Sequence, residues 1–302
     1  MNGRKVIGIG ETVFDIIFGQ DNKPRSGNPG GSVYNALISL GRCGVHSVFV
    51  SEIGDDNVGS IIRQFLINNG VSDECLYEHK GMKSPLSLAF LDENSDAHYT
   101  FYKDYQNQRF ELSMPHINSG DIVIFGSYFA LNPVIRPAVL SFLHNAKNAG
   151  AMLYYDVNFR QSHQHELPQL MPTITENFAL ADIVKGSDED FRIMFGTSDW
   201  RSAYHKYIEP HCATFICTQA ANGATAMHHD DEISVPAVNI RPVSTVGAGD
   251  NFNAGTIYGL CQNNIGKSQL SNMQALQCAM AEGIRFATEV CLSLDNYIAP
   301  RN

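Results

Sequence analysis

The stretch VSTVGAGDNFNAG, residues 243–255, gathers residue types that can do chemistry. Gly247, Ala248 and Gly249 are small enough for successive backbone N–H groups to converge on an anion. The helix expected over NFNAGTIYGLCQ would add the partial positive charge of its N-terminus. Asp250 follows directly. A carboxylate there can take a proton from whatever approaches the anion, or it can simply cap the helix. Residue types alone leave those two readings even.

Two more stretches end in candidate ligand positions. GNPGGSVYNALISLG (27–41) sets Gly30 and Gly31 before a helix and Asn35 one turn inside it. The glycines would let a ligand approach the backbone, and Asn35 could offer its amide to a polyol. An ordinary glycine-rich turn with a solvated Asn is the plain alternative. Asp156-Val157-Asn158-Phe159-Arg160 follows an apolar run, at the sheet edge where ligands bind, although Asp156 and Arg160 could equally form a structural ion pair. Gly266-Lys267-Ser268 is not a P-loop, because Cys261 stands where the first glycine is required. Gly8-Ile9-Gly10 is half a dinucleotide fingerprint whose third glycine would fall at Val13. The run from His228 to Glu232 reads as a solvated turn, and His163 and His165 as loop positions.

The elements that must carry these residues are legible as alternating apolar runs and helical patterns. Residues 5–10, 46–54, 121–127, 151–158, 181–187 and 214–219 predict buried strands, and the intervening stretches predict helices closed at Gly44, Gly70 and Gly150. Strand followed by helix, repeated, implies a mostly parallel sheet covered on both faces. Residues 84–110 alternate instead, predicting a hairpin with a turn near Asp92–Asp96 that is exposed on one side. Trp200, the single tryptophan, is expected to pack against the 197–208 segment.

Composition narrows the class. The 302 residues are 44% hydrophobic, enough for a sizeable core, and the net charge of −10 carries no basic run, which argues against nucleic acid. No window offers a membrane span, and the N-terminal apolar pieces are broken as a signal peptide's are not. Seven widely spaced cysteines without a CxxC pair suit reduced thiols in a cytoplasmic protein.

Taken in order, these motifs resemble the ribokinase-like (PfkB) carbohydrate kinases, in their fructokinase-like branch. The resemblance runs through GETVFD ending at Asp15, the Gly30-Gly31…Asn35 helix start, SLAFLDENSDAHYTFY, FGSYFALNP, D-x-N-x-R, IVKGSDED and the C-terminal GAGD. It implies a single three-layer α/β/α domain over 1–302, with a mostly parallel central sheet and a small β lid formed by roughly 12–25 and 84–110. It further implies an ATP- and Mg²⁺-dependent sugar kinase, most of all a fructokinase, acting as a homodimer through the lid. Asp250 would be the base, and the amides of Gly247, Ala248 and Gly249 the anion hole. Asp15, Gly30, Gly31, Asn35 and Arg160 would face the sugar. Lys185, Ser187, Thr218, Gly223 and Thr245 would lie by the nucleotide, with Asp190 near the magnesium through water.

Some positions depart from the family. Ser244 stands where a D-T-x-G-A-G-D motif has its first Asp, so it cannot supply the charge that organises this loop and, in some relatives, a monovalent-cation site. Ser187 and Asp190 stand where Asn and Glu are frequent, Ala220 where a glycine is usual, and Met280 near a frequent Asn. Two alternatives stay open: a 2-keto-3-deoxygluconate-type sugar-acid kinase, with Arg160 pairing the carboxylate, and a sugar-binding pseudokinase with a weakened nucleotide site.

Overall fold

Short runs of β-branched and aromatic residues with no exposed member build the centre of the molecule: Val6–Ile9 (β1), Ser47–Gly54 (β4), Ile122–Gly126 (β8) and Met152–Asp156 (β9). The computed structural model describes residues 3–91, 97–103, 113 and 115–301. Along these strands the side chains alternate between two cores, as a period of two requires. Ile7, Ile9, Val123, Phe125, Leu153 and Tyr155 enter one core, while Val6, Ile122, Ile124, Met152 and Tyr154 enter the other.

The large sheet also contains Val71–His79 (β5), Ile183–Ser187 (β10), Thr214–Thr218 (β11), Ala224–His228 (β12) and Asp231–Val235 (β13). Its order is β13-β12-β11-β10-β9-β8-β1-β4-β5, parallel except where β12 pairs β11 and β13. On one face pack Ser32–Arg42 (α1), Asn57–Asn68 (α2), Ala248–Gln262 (α7) and Met273–Cys291 (α8); the other face carries Arg136–Asn148 (α3), Leu167–Leu180 (α4), Asp188–Phe195 (α5) and Trp200–Ala203 (α6). All six expected strands are present, and Trp200 is buried against Phe215. No helix among the described residues is long and apolar enough to cross a membrane.

A second sheet is small and separate. Val13–Phe18 (β2), Pro24–Gly30 (β3), Leu86–Leu91 (β6) and Ala97–Tyr102 (β7) pair in the order β3-β2-β6-β7. The expected hairpin is β6–β7; its turn at 92–96 and residues 104–110 lie outside the described residues. The N-terminal part of this sheet runs to Gly30, beyond the limit of 25 expected from the sequence, because β3 pairs with β2 down to Val13↔Gly30.

Candidate active site

Strain marks the carboxyl edge of the large sheet. Ser127 after β8, Asn158 after β9 and Ala220 after β11 have φ of 53°, 37° and 45°, values that non-glycine residues adopt only when neighbours hold them. Asn158 Nδ2 donates to Ser127 Oγ at 2.7 Å, and Ser127 Oγ lies 2.9 Å from Ser32 Oγ at the start of α1. Ala220 occupies a conformation that favours glycine, which accounts for the glycine usual there and makes the alanine of this chain a strained substitution.

Two helix N-termini meet at this edge, each opening behind a glycine. Gly31 precedes α1 with φ 128°, and a Cβ there would collide with Glu11 O. Gly247 precedes α7 with φ 77°. The helix starts at Ala248, earlier than the sequence suggested, so Asp250 sits inside its first turn and Gly247 takes the capping position. The Asp250 carboxylate turns across to α1, where Asn35 Nδ2 donates to its Oδ2 at 2.8 Å. Burial pushes Asp250 up to about 6; the Asn35 bond, Arg160 and Lys185 oppose this, and Asp156 adds to it. The group is enclosed by protein yet retains partial exposure. Asn35 is 5% exposed, and its Oδ1 has no hydrogen-bond partner.

Asp15, on β2, places its carboxylate against the Cα of Gly30, where any side chain would clash with it. Burial raises Asp15 to about 6, the Ser87 hydroxyl on the paired strand pulls it down, and Glu11 pushes it further up. Arg160 is exposed at the start of the 3₁₀ turn Gln161–Glu166.

Beneath α7 runs a buried polar chain. Lys185 Nζ donates to Asp156 Oδ1 at 3.1 Å, Asn253 Nδ2 donates to Asp156 Oδ2 at 2.7 Å, and Tyr154 OH donates to Asn253 Oδ1 at 3.1 Å. Burial alone would lower Lys185, but Asp156, Asp190 and Asp250 outweigh it and hold the ammonium raised. A Cβ on Gly249 would meet only Lys185 Nζ, at 3.6 Å, so the space over this backbone is open. Asp156 thus pairs with Lys185, whereas the sequence had offered Arg160. Ser187 and Thr218 are register partners at the ends of β10 and β11. Thr245 is exposed in the loop before α7, and Gly223 lets the backbone pass Val235 and Ala237 closely.

This arrangement has known relatives. A model of the pfkB family carbohydrate kinases matches residues 4–282. The chain belongs to that family. It is therefore a phosphotransferase with an alcohol acceptor. It is 28% identical over 259 residues to probable fructokinase-2 of Arabidopsis thaliana, covering 82% of this chain and 78% of that one. It is 26% identical over 262 residues to aminoimidazole riboside kinase of Salmonella typhimurium, covering 86% and 82%. The fold matches a crystal structure of fructokinase from Vibrio cholerae O395 in its fructose-, ADP- and calcium-bound form, with a TM-score of 0.85–0.86 across this and a potassium-bound double mutant, 22% identity, and 97% and 94% coverage.

In the kinase, Asp190 closes the capping box at the start of α5. Its Oδ2 accepts from Ser187 N at 2.6 Å and Ser187 Oγ at 2.8 Å, and its Oδ1 accepts from Phe159 N at 2.7 Å. Among the described residues no group of three or more His, Cys, Asp or Glu could hold a metal ion. Ser244 Oγ accepts from Val246 N at 3.2 Å, closing its own loop. His163 stacks on Tyr128, ring centroids 3.8 Å apart, and Glu166 accepts from the Tyr128 hydroxyl and bonds His163 Nδ1. Both rings line a cavity of about 410 Å³ with Glu11, Thr12, Phe101 and Lys103. The sequence reading missed Ser32, Ser127, Asn251 and Asn253. For the asparagines a signal existed: Asn is a poor helix former, and two of them stand within one helical turn behind GAGD.

Proposed function

We propose that the protein is an ATP-dependent fructokinase in which Asp250 is the general base. The observation that carries this is the Asp250–Asn35 pair: a carboxylate raised to about 6 at a helix N-terminus, beside an unpaired buried amide oxygen. The acceptor lies against Asp15, Gly30, Gly31 and Asn35, whose orphaned Oδ1 accepts from a sugar hydroxyl, and Arg160 borders it. Asp250 takes the proton of the attacking hydroxyl as that oxygen bonds to the γ-phosphorus and the β–γ bridge bond breaks, with ADP leaving. The amides of Gly247, Ala248 and Gly249, with Lys185 beneath, stabilise the charge on the transferring group. Magnesium neutralises phosphate charge when bound.

Ser187, Thr218, Gly223 and Thr245 border the nucleotide. Exposed Val243, Val246 and Leu292 beside the loop support docking of its base there. The small sheet acts as the lid, excluding water, and its exposed Phe101 and Tyr102 support a homodimer through this sheet. A sugar acid would rely on Arg160 at the border, because Lys103 lies 3.8 Å from both Glu11 and Glu52 and is already paired within the cavity. Its aromatic lining favours, as a second reading, a riboside bearing a flat ring, the chemistry named for the Salmonella relative.

Turnover of Mg-ATP with fructose, ribosides and sugar acids tests the substrate reading; sugar acids as the preferred acceptors, or no acceptor at all, would sink it. Asp250→Asn is expected to lower kcat by about 10²–10⁴-fold while sugar binding survives. A thermal shift with Mg-ADP separates the kinase from a pseudokinase, which would not respond. Because Ser244 supplies no carboxylate, turnover in potassium and in sodium buffer is expected to be equal.

A further inference from the structure

The tail after α8 touches both halves of the site. Asn251 Nδ2 donates to Asn296 O and to Gly247 O, each at 2.8 Å, so the tail helps hold the glycine that opens the amide cradle. The next residue, Tyr297, reaches the other way: its hydroxyl donates to Pro29 O, on β3 of the small sheet, one residue before Gly30. Ile298 N donates to Ser39 Oγ at 3.2 Å, and Ser39 Oγ donates to Asn251 Oδ1 at 2.5 Å, closing the circuit through α1. Tyr297 is buried, its ring 5.2 Å from that of Phe65 and 5.1 Å beneath the Arg42 guanidinium. Asp15 lies near enough for its charge to act on the Tyr297 hydroxyl.

Consecutive residues of one short segment therefore grip the phosphoryl-side loop and the acceptor-side strand. We propose that Asn296-Tyr297 is a strut coupling the two, with Tyr297 and Asn251 as positioning residues, so that a bound sugar tightens the nucleotide. This rests on the kinase reading above. By linkage the effect is reciprocal, and the nucleotide tightens the sugar by the same factor.

Calorimetric titration of the full chain with Mg²⁺ and adenylyl imidodiphosphate, with and without a saturating amount of the sugar that wild type phosphorylates, measures the coupling. Wild type is expected to bind the analogue at least about fivefold tighter with sugar present. Tyr297→Phe keeps the ring and removes the bond to Pro29; its affinity for the analogue alone should stay within about twofold while the sugar effect disappears. Phe65→Leu loosens the packing of the ring without touching the hydroxyl, so it should lower Tm and keep the coupling. If Tyr297→Phe does not fold, Ser39→Ala, which opens the circuit on the α1 side, is expected to weaken coupling instead. No coupling in wild type, full coupling in Tyr297→Phe or in its Ser39→Ala substitute, or equal loss in Phe65→Leu overturns the strut. Wild-type turnover without coupling overturns the strut alone, whereas absence of turnover with every acceptor overturns the kinase reading itself.

Discussion

Asp250 could have been a cap or a base when seen only as a residue type, and its neighbours remove the cap reading. Its carboxylate bonds a side chain on another helix, and Gly247 occupies the capping position. As the proposed base it works only when ionised, so kcat/KM is expected to rise with pH through about 6 and level off above. A flat profile from pH 5 to 8 would count against it. The same shift bears on stability. The folded chain keeps this proton up to about pH 6 and the unfolded chain loses it near 3.8, so between those values the folded state binds more protons. Stability therefore falls as pH rises through that window, and above it the carboxylate is a net destabilisation of about 1–3 kcal/mol. Asp250→Asn retains an acceptor for Asn35 and should melt higher than wild type at pH 7.5, with the gain vanishing at pH 4.

At the scale of elements, α7 carries glycines of two kinds. Gly249 faces open space, whereas a Cβ on Gly255 would strike Glu282 O on α8. Gly249→Ala should leave Tm unchanged or raise it, since Ala favours a helix by about 0.5–1 kcal/mol, while its methyl fills the cradle and reduces turnover by about tenfold or more. Gly255→Ala should do the reverse: it forces α7 and α8 apart at about 1–3 kcal/mol, read by denaturant melts, with turnover largely kept in the folded fraction. Both residues are plain glycines in GAGDNFNAG. The strands were easier to read, because a buried parallel strand must be an unbroken apolar run. The β2–β3 pair was harder, since PRSGNPG, with two prolines and two glycines, holds its place only by pairing with β2.

The whole molecule divides into a large sheet, holding the residues proposed to face the phosphoryl group at its carboxyl edge, and a small sheet carrying Asp15 and Gly30. On the small sheet, β7 displays Phe101 at 68% exposure and Tyr102 at 55%. Sedimentation velocity is expected to give a dimer, and Phe101→Asp a monomer; a monomeric wild type would remove the proposed interface. The sequence by itself determined the alternation of strand and helix, the two glycine-led helix starts, and the order of motifs that marks a carbohydrate kinase. All of these are local, set by side-chain period, backbone freedom and spacing along the chain. Only the tertiary structure decided partners. Lys185, and not Arg160, neutralises Asp156; Asn35 reaches Asp250 across 215 residues of sequence; Asp190 is taken up by Ser187 and Phe159. Charges and hydrogen bonds are satisfied by whatever folding brings within 3 Å or so, and no spacing along the chain encodes that distance.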